Sequence, residues 1–247
     1  MQIKKRGQAT ALALLGIIII ISLAFFIYSR TILLQKQIGL SQKEIEVKDF
    51  IEACLSKTAE EGLFFLGLQG GYYNIKKPYG EYSGIKVPYY FFRGIHYPTE
   101  ISIYRQELSE YIETNIEYCI KRKDVSILKK GKPKVFTELN EKINLVLDYP
   151  LKINFNREMV KIEKFTSSLN FNFNEISSYI HEVTQALSKD IDYYPLGGIA
   201  KISEKYKKRF ETISFEDGSI LFTIISSHNL SFKEPYVFAF MIKYNWS

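Results

Sequence analysis

Residues that hold metal ions are scarce in this sequence, which has three histidines and two cysteines among 247 residues. The one stretch that begins like a zinc-protease motif, His181-Glu182, has Gln185 where the second histidine would stand. The two cysteines and three separated histidines do not have the spacing of a metal-ligand set. The sequence therefore predicts no metal site.

Motifs for catalysis and cofactor binding are missing as well. The glycine-rich stretches GLQGG and PLGG match neither a phosphate loop nor a dinucleotide fingerprint, and no serine stands in a G-x-S-x-G turn. The acidic neighbours Glu60-Glu61 would point in different directions on a helix, and Glu216-Asp217 falls at a predicted turn. Neither is typical of a glycosidase pair, so we expect no catalytic residue and no cofactor.

Charge is absent between Arg6 and Arg30, and residues 9–28 are almost entirely apolar. A helix of this length, at about 1.5 Å per residue, covers the roughly 30 Å hydrocarbon layer of a membrane. A helix in a soluble core would show a polar face, and this run has none. A cleaved secretory signal is the alternative, although its apolar core is shorter, at about 7–15 residues. We predict a transmembrane helix over residues 8–30, in contact with the lipid bilayer.

The basic residues beside this run predict its orientation. Lys4, Lys5 and Arg6 precede it directly, and an excess of basic residues marks the cytoplasmic side. The expected protein is therefore a single-pass protein of the cell membrane. Its N-terminus is cytoplasmic and residues 31–247 are extracytoplasmic.

The stretch KKRGQATALALLG, residues 4–16, combines a short basic leader, a Gly-Gln step and an apolar helix. It resembles the class III leader of archaeal type IV pilins and archaellins. The resemblance implies a leader over residues 1–7, which a prepilin peptidase removes by cutting between Gly7 and Gln8. It also implies assembly with like subunits or with other surface proteins. Leu12 stands where bacterial pilins have glutamate.

Two helical patterns follow, and each carries one cysteine. Apolar residues recur at three- and four-residue steps around Cys54, in a stalk or amphipathic helix predicted over residues 31–71, and around Cys119, in a helix over residues 100–121. Both thiols fall on the apolar side. Outside the membrane such a pair is a disulfide candidate, whereas two separate buried free thiols are the alternative. We predict a Cys54–Cys119 disulfide.

The remaining pattern indicates strands. Apolar residues alternate from 136 to 173, with Pro150 as a turn signal, and again from 236 to 246. Asp217-Gly218 suits a type I′ hairpin turn. The predicted fold class is α+β: a long N-terminal transmembrane and stalk helix, then an extracytoplasmic domain over residues 72–247 with an antiparallel sheet and packed helices.

The net charge of +6 could indicate nucleic-acid binding, but three of these charges belong to the leader. The densest remaining cluster, KYKKR at 205–209, is predicted to be a solvated helix face. We therefore expect no nucleic-acid partner.

A second resemblance covers most of the chain. Five motifs follow one another along the chain: EACL in the first cysteine helix, GLQGGYY, EYCI in the second cysteine helix, YPLKINF and EPYVFAFMIKY. Their order is similar to that in a family of uncharacterised membrane-anchored surface proteins from small-genome archaea. This resemblance implies a location and an architecture but no activity.

Aromatic residues are concentrated between 72 and 97. They form either a surface for a partner protein or a long loop that its own aromatics fold onto the sheet. The residues of the predicted partner surface are Tyr72, Tyr73, Tyr89, Tyr90, Phe91 and Phe92. Asn229 and Asn245 begin N-glycosylation sequons and are glycan acceptors if the domain is extracytoplasmic.

The sequence thus predicts a membrane-anchored, pilin-like extracytoplasmic protein with a structural or adhesive role, which is not an enzyme. One alternative is a membrane-tethered binding module for an extracellular ligand or surface polymer, which a flat aromatic patch would favour. Another is a membrane-tethered hydrolase, which a deep pocket lined by convergent polar groups would favour. An N-terminus cut at Gln8 would favour the pilin-like protein.

Overall fold

The computed structural model describes six segments of the chain: residues 42–97, 100–121, 126–155, 158–190, 193–229 and 235–245. The helices in these segments are α1 (Gln42–Leu68), α2 (Ile101–Ile120), α3 (Phe173–Ser188) and α4 (Leu196–Tyr206). The strands are β1 (Tyr79–Tyr82), β2 (Ile85–Phe92), β3 (Ile95–His96), β4 (Ser126–Lys130), β5 (Lys134–Leu139), β6 (Ile143–Phe155), β7 (Glu158–Leu169), β8 (Arg209–Ser214), β9 (Ser219–Asn229) and β10 (Pro235–Lys243). The predicted α+β class is confirmed.

None of the helices in the described segments has both the length and the apolarity needed to cross a membrane. The apolar run of residues 9–28, the leader over residues 1–7 and the cleavage position Gly7-Gln8 lie outside these segments. The transmembrane helix and the leader therefore stay predictions.

Helix α1 places one face in the core. Its residues at three- and four-residue steps are almost fully buried: Val47, Ile51, Leu55, Ala59, Leu63 and Leu66. The helix stops where predicted, because Gly70 and Gly71 take positive φ angles of 55° and 82°. The compact unit that contains most of α1 begins at Glu46, whereas the predicted globular domain begins at residue 72. This part of the predicted stalk is a core helix, since its apolar stripe needs a sheet to cover it.

Helix α2 is joined to α1 by the Cys54–Cys119 disulfide, with 5.7 Å between the two Cα atoms. Its buried stripe consists of Tyr104, Leu108, Ile112, Ile116 and Ile120. The predicted disulfide is confirmed, because helical periodicity does put both cysteines on the sides where the two helices meet.

A six-stranded mixed sheet carries most of the aromatic core. Its order is β1-β2-β10-β9-β8, with β3 also paired to β2. The neighbours are antiparallel except β2 and β10, which run parallel. On the side of the sheet facing the main core, the Phe240 ring stacks on Tyr90 at 4.8 Å and on Phe222 at 5.0 Å between centroids. The predicted antiparallel sheet is therefore correct for most pairs, and the one parallel pair was not predicted.

Two tight hairpins fold the aromatic segment 72–97 onto the edge of this sheet. Ser83-Gly84 joins β1 to β2, and Arg93-Gly94 joins β2 to β3. All four residues have positive φ, as a two-residue type I′ turn requires. The segment is therefore a short meander rather than one long loop.

A second, four-stranded sheet is antiparallel and is centred on β6. Strand β7 pairs along one edge of β6, while β5 and β4 share the other edge. Pro150, predicted as a turn, lies inside β6 in the gap between the partners of β5 and β4. A proline is tolerated there because no ladder donor is needed, and its carbonyl accepts a hydrogen bond from the Gly131 amide at 2.8 Å.

Helices α3 and α4 pack against each other beside the core. Asn172 caps α3 by accepting a hydrogen bond from the Glu175 amide at 3.2 Å. Helix α4 ends at Tyr206, the capping residue Lys207 has a positive φ, and β8 begins at Arg209. The predicted solvated face at 205–209 is therefore wrong in part, since the Lys208 side chain is buried and pairs with Glu175 at 2.9 Å.

Candidate functional site

A cleft of about 770 Å³ opens between α3, the β2–β3 hairpin and the first turn of α2. One wall is a single face of α3, because its lining residues recur at helical steps: Ser177, Ser178, Ile180, His181, Thr184, Gln185 and Ser188. The opposite wall consists of His96 on β3 and of Glu100, Ile101 and Ser102 at the start of α2. The volume lies within the range of about 300–1,000 Å³ that is common for small-ligand sites.

The floor of the cleft is aromatic and belongs to the core. It is built by Tyr90, Tyr104, Phe173 and Phe238. The Tyr104 and Phe173 rings lie 4.4 Å apart between centroids, and the Tyr104 hydroxyl is hydrogen-bonded to the Tyr236 hydroxyl at 3.1 Å. Burial, with smaller contributions from Tyr236 and Tyr90, raises the pKa of Tyr104. The floor is therefore a neutral, packed surface.

Several polar side chains around the cleft have unused hydrogen-bonding capacity. In the described part of the chain, no protein group is hydrogen-bonded to the side chain of His96, Ser177, Ser178, His181 or Gln185. The Thr184 and Ser188 hydroxyls donate to carbonyls of their own helix and keep lone pairs for accepting. These groups converge on one space and can donate to a ligand or accept from it.

The two histidines of the cleft come from opposite walls. His181 is exposed on α3, and His96 lies on β3. Burial, the Lys77 charge and His181 together lower the pKa of His96. The His96 imidazole is therefore neutral at pH 7, when it is both a donor and an acceptor.

A lysine lies behind this wall, inside a group of three tyrosine rings. The Lys77 Nζ is 4.5 Å from the ring centroid of Tyr72, 5.0 Å from that of Tyr90 and 5.9 Å from that of Tyr97. It also donates a hydrogen bond to the Tyr97 carbonyl at 2.5 Å. Burial lowers the pKa of Lys77 to about 8. The lysine is thus engaged by the protein and holds the segment before β1 against β2 and Tyr97.

The cleft does not assemble an activated nucleophile. In the described segments no serine hydroxyl of the cleft is hydrogen-bonded to an imidazole, and the Ser102 hydroxyl donates to the Glu100 carboxylate at 3.2 Å. These segments also hold no cluster of three histidine, cysteine, aspartate or glutamate side chains that could bind a metal ion.

The predicted partner surface is largely in the core. Tyr72, Tyr89, Tyr90 and Phe91 are buried, while Tyr73 and Phe92 are half-buried. Alternation along β2 does not leave one face free, because hydrophobic clusters cover both faces of the sheet. The exposed aromatics of this segment are instead Tyr79 and Tyr82 of β1.

The two cysteines and the two sequon asparagines are not among the residues that line the cleft. A second cavity of about 280 Å³ lies beside the disulfide and is lined by Cys119, Lys57 and Tyr118 among others. Asn229 is the last residue of β9, and Asn245 is exposed after β10. The serines that complete both sequons lie outside the described residues.

The cleft was not predicted from the sequence. Its one local signal is on α3, whose polar face holds serine, histidine and glutamine where a solvated face usually holds lysine and glutamate. The partners of that face come from β2, β3, α2 and β10, and only the fold brings them together.

The chain matches no family model, and neither a curated protein nor a solved structure is similar to it. Its function must therefore be argued from its own residues.

Proposed function

We propose that this chain is a membrane-anchored, pilin-like extracytoplasmic protein with a structural or adhesive role. The observation that supports this most is the Cys54–Cys119 disulfide. Disulfides persist in oxidising compartments outside the cytoplasm and are rare in the cytosol. The uncharged run of residues 9–28 and the basic residues before it are consistent with export and with anchoring through residues 8–30.

The pilin-like part of the proposal comes from the leader. A prepilin peptidase that cuts between Gly7 and Gln8 removes the basic residues and leaves the apolar helix on the mature chain. Basic residues are costly to bury in lipid, so their removal lets the helix leave the bilayer and pack against like subunits. The partners are then this peptidase and other copies of the chain or other surface proteins.

The test uses the full chain in its native cells. Protease added to intact cells should digest the part of the chain after residue 30. Peptide mapping without reduction should recover Cys54 linked to Cys119, and the N-terminal peptide should begin at Gln8. Full protection from protease in intact cells would show that the proposed topology is reversed. An N-terminus at Met1 or Gln2 would contradict the pilin-like part of the proposal.

A second candidate function is a membrane-tethered binding module for an extracellular ligand or surface polymer. The cleft beside α3 supports it, since free polar groups converge there above an aromatic floor. The same cleft supports a hydrolase less well, because no nucleophile in it is paired with a base in the described segments. The binding module and the hydrolase can be distinguished by the state of the ligand after incubation, because a hydrolase cleaves it and a binding module leaves it intact.

A further inference from the structure

We infer that the cleft between α3, β3 and the first turn of α2 binds a neutral, hydroxyl-rich ligand, for which a short saccharide chain is the fitting chemical class. This inference rests on the second candidate function and names the ligand class of that site. It follows from the size, the charge, the polar groups and the floor of the cleft.

The charges around the cleft favour a neutral ligand. Among the described residues that line the cleft, Glu100 is the one carboxylate, and none is a lysine or arginine. The nearest cation behind the wall, Lys77, is directed at a backbone carbonyl and three tyrosine rings. An anionic polymer would find no fixed positive charge there, and a cationic ligand would find a single exposed carboxylate that already accepts from Ser102.

The polar groups match hydroxyls in number and in kind. Serine hydroxyls, the neutral His96 imidazole and the Gln185 carboxamide each donate and accept, as a sugar hydroxyl does. Ser177, Ser178, His181 and Gln185 stand along one face of α3, so they present a row of such groups to the edge of a linear chain of rings. His96 faces them from the opposite wall.

The floor matches the other surface of a sugar. A pyranose ring has hydroxyls around its edge and C–H groups on its faces, and the faces pack on aromatic side chains. Atoms of Tyr90, Tyr104, Phe173 and Phe238 line the bottom of the cleft, but these side chains are almost fully buried, so the apolar surface that a sugar face can reach is provided mainly by Ile101 at the rim. An apolar base with a few fixed polar groups is the usual composition of a ligand site.

The test is a titration of the purified full chain in detergent with maltotriose, cellotriose and mannotriose as neutral probes, and with a heparin hexasaccharide as the acidic probe. Binding is measured by saturation-transfer NMR and calorimetry. We expect at least one neutral trisaccharide to bind and the heparin probe not to bind. Intact trisaccharide after overnight incubation would agree with binding, and hydrolysis would overturn it in favour of an enzyme.

A matched pair of variants locates the site. Ser178→Trp places a large ring in the cleft and should raise the Kd at least tenfold. Thr114→Trp makes a similar change at an exposed position of α2 that does not line the cleft and should leave the Kd within twofold. If Ser178→Trp lowers the melting temperature, Gln185→Ala and Ser177→Ala replace it, and each should raise the Kd several-fold.

The proposal is overturned if no neutral trisaccharide binds, if only the heparin probe binds, or if Ser178→Trp folds normally and binds like wild type. Protease accessibility and N-terminal processing do not depend on these titrations. Failure of the saccharide-binding proposal and failure of the predicted topology can therefore be told apart.

Discussion

Replacing Gly67 by alanine tests how closely α1 approaches the six-stranded sheet. Gly67 is buried at the point where α1 crosses β10. A Cβ atom at this position would overlap the backbone carbonyl oxygen of Val237 and lie 3.0 Å from the Tyr236 ring. Favourable carbon contacts lie at about 3.5–4.0 Å, so α1 or β10 would have to move.

The cost is limited by what can move. Strand β10 is paired with β9 at Val237 and with β2 farther along, at residues 241–243, so it cannot retreat without breaking ladder hydrogen bonds. Overpacking costs about 1–3 kcal/mol, and replacing a helical glycine with alanine contributes about 1 kcal/mol in the opposite direction. Because the overlapping atom is backbone and not the end of a flexible side chain, the overpacking cost falls in the upper part of this range, and we expect a net loss of about 1–2 kcal/mol in the free energy of unfolding. For a domain of this size that corresponds to a fall of about 2–8 °C in Tm.

The assay is thermal unfolding of the full chain in detergent, followed by far-UV circular dichroism. Gly197→Ala is the matched control, because its Cβ would meet no atom within 4 Å in the first turn of α4. The control should have an unchanged or slightly raised Tm. A Tm for Gly67→Ala at or above that of wild type would refute the close approach of α1 to β10.

The disulfide closes a sequence separation of 65 residues, so replacing Cys54 and Cys119 together by alanine should cost about 4 kcal/mol, or about 8–16 °C in Tm. Complete reduction of the wild-type protein should lower its Tm by the same amount, and an unchanged Tm after reduction would contradict this prediction. A hydrogen bond from Lys130 lowers the pKa of Glu117 to about 2; burial opposes this shift, and a hydrogen bond from Tyr149 adds to it. The ionised Glu117 therefore stabilises the fold above its ordinary pKa of 4.5, and this stabilisation is lost as the pH falls toward 2. Glu117→Gln should therefore lose less Tm between pH 5 and pH 2 than wild type, and equal losses would argue against this coupling. Gly7→Val should block removal of the leader while Gly7→Ala permits it, as N-terminal peptide mass spectrometry can show; a start at Gln8 in both variants would reject the need for a small residue.

The helices were the most predictable part of the fold. The stripe around Cys119 predicted α2 nearly to both ends, and the stripe around Cys54 predicted the end of α1, because burial of one helix face repeats every three to four residues. The same stripes placed the disulfide. These signals are local, and each lies within one helix.

The turns were less predictable, because a type I′ turn needs a positive φ at both central residues and a glycine explains only one of the two. Asp217-Gly218 was predicted as such a turn, but only Gly218 has positive φ, and the Phe215 amide donates to the Ser219 carbonyl instead. The two turns of this kind have serine and arginine before their glycines. Nothing local distinguishes Ser83 or Arg93 from a residue of an ordinary loop.

The cleft and the parallel β2–β10 pair could not be read from local patterns. The cleft brings together residues from four separate parts of the chain, and each alone is typical of a surface helix, a strand or a turn. The alternation in β10 predicted a strand but not its neighbours, because period two specifies which face is buried and not which strand lies alongside.

The central position of β10 also determines when this sheet can close during synthesis. A ribosome makes β1 to β9 before β10, and until then β2 and β9 each leave one row of backbone amides and carbonyls unpaired. Helix α1 likewise has no strand for Gly67 to pack on. The sheet is completed only after residue 243 has emerged, so a chain that is exported as it is made crosses the membrane with this sheet still open. A nascent chain that stalls before Pro235 presents two open strand edges, and such edges attract both aggregation and proteolysis.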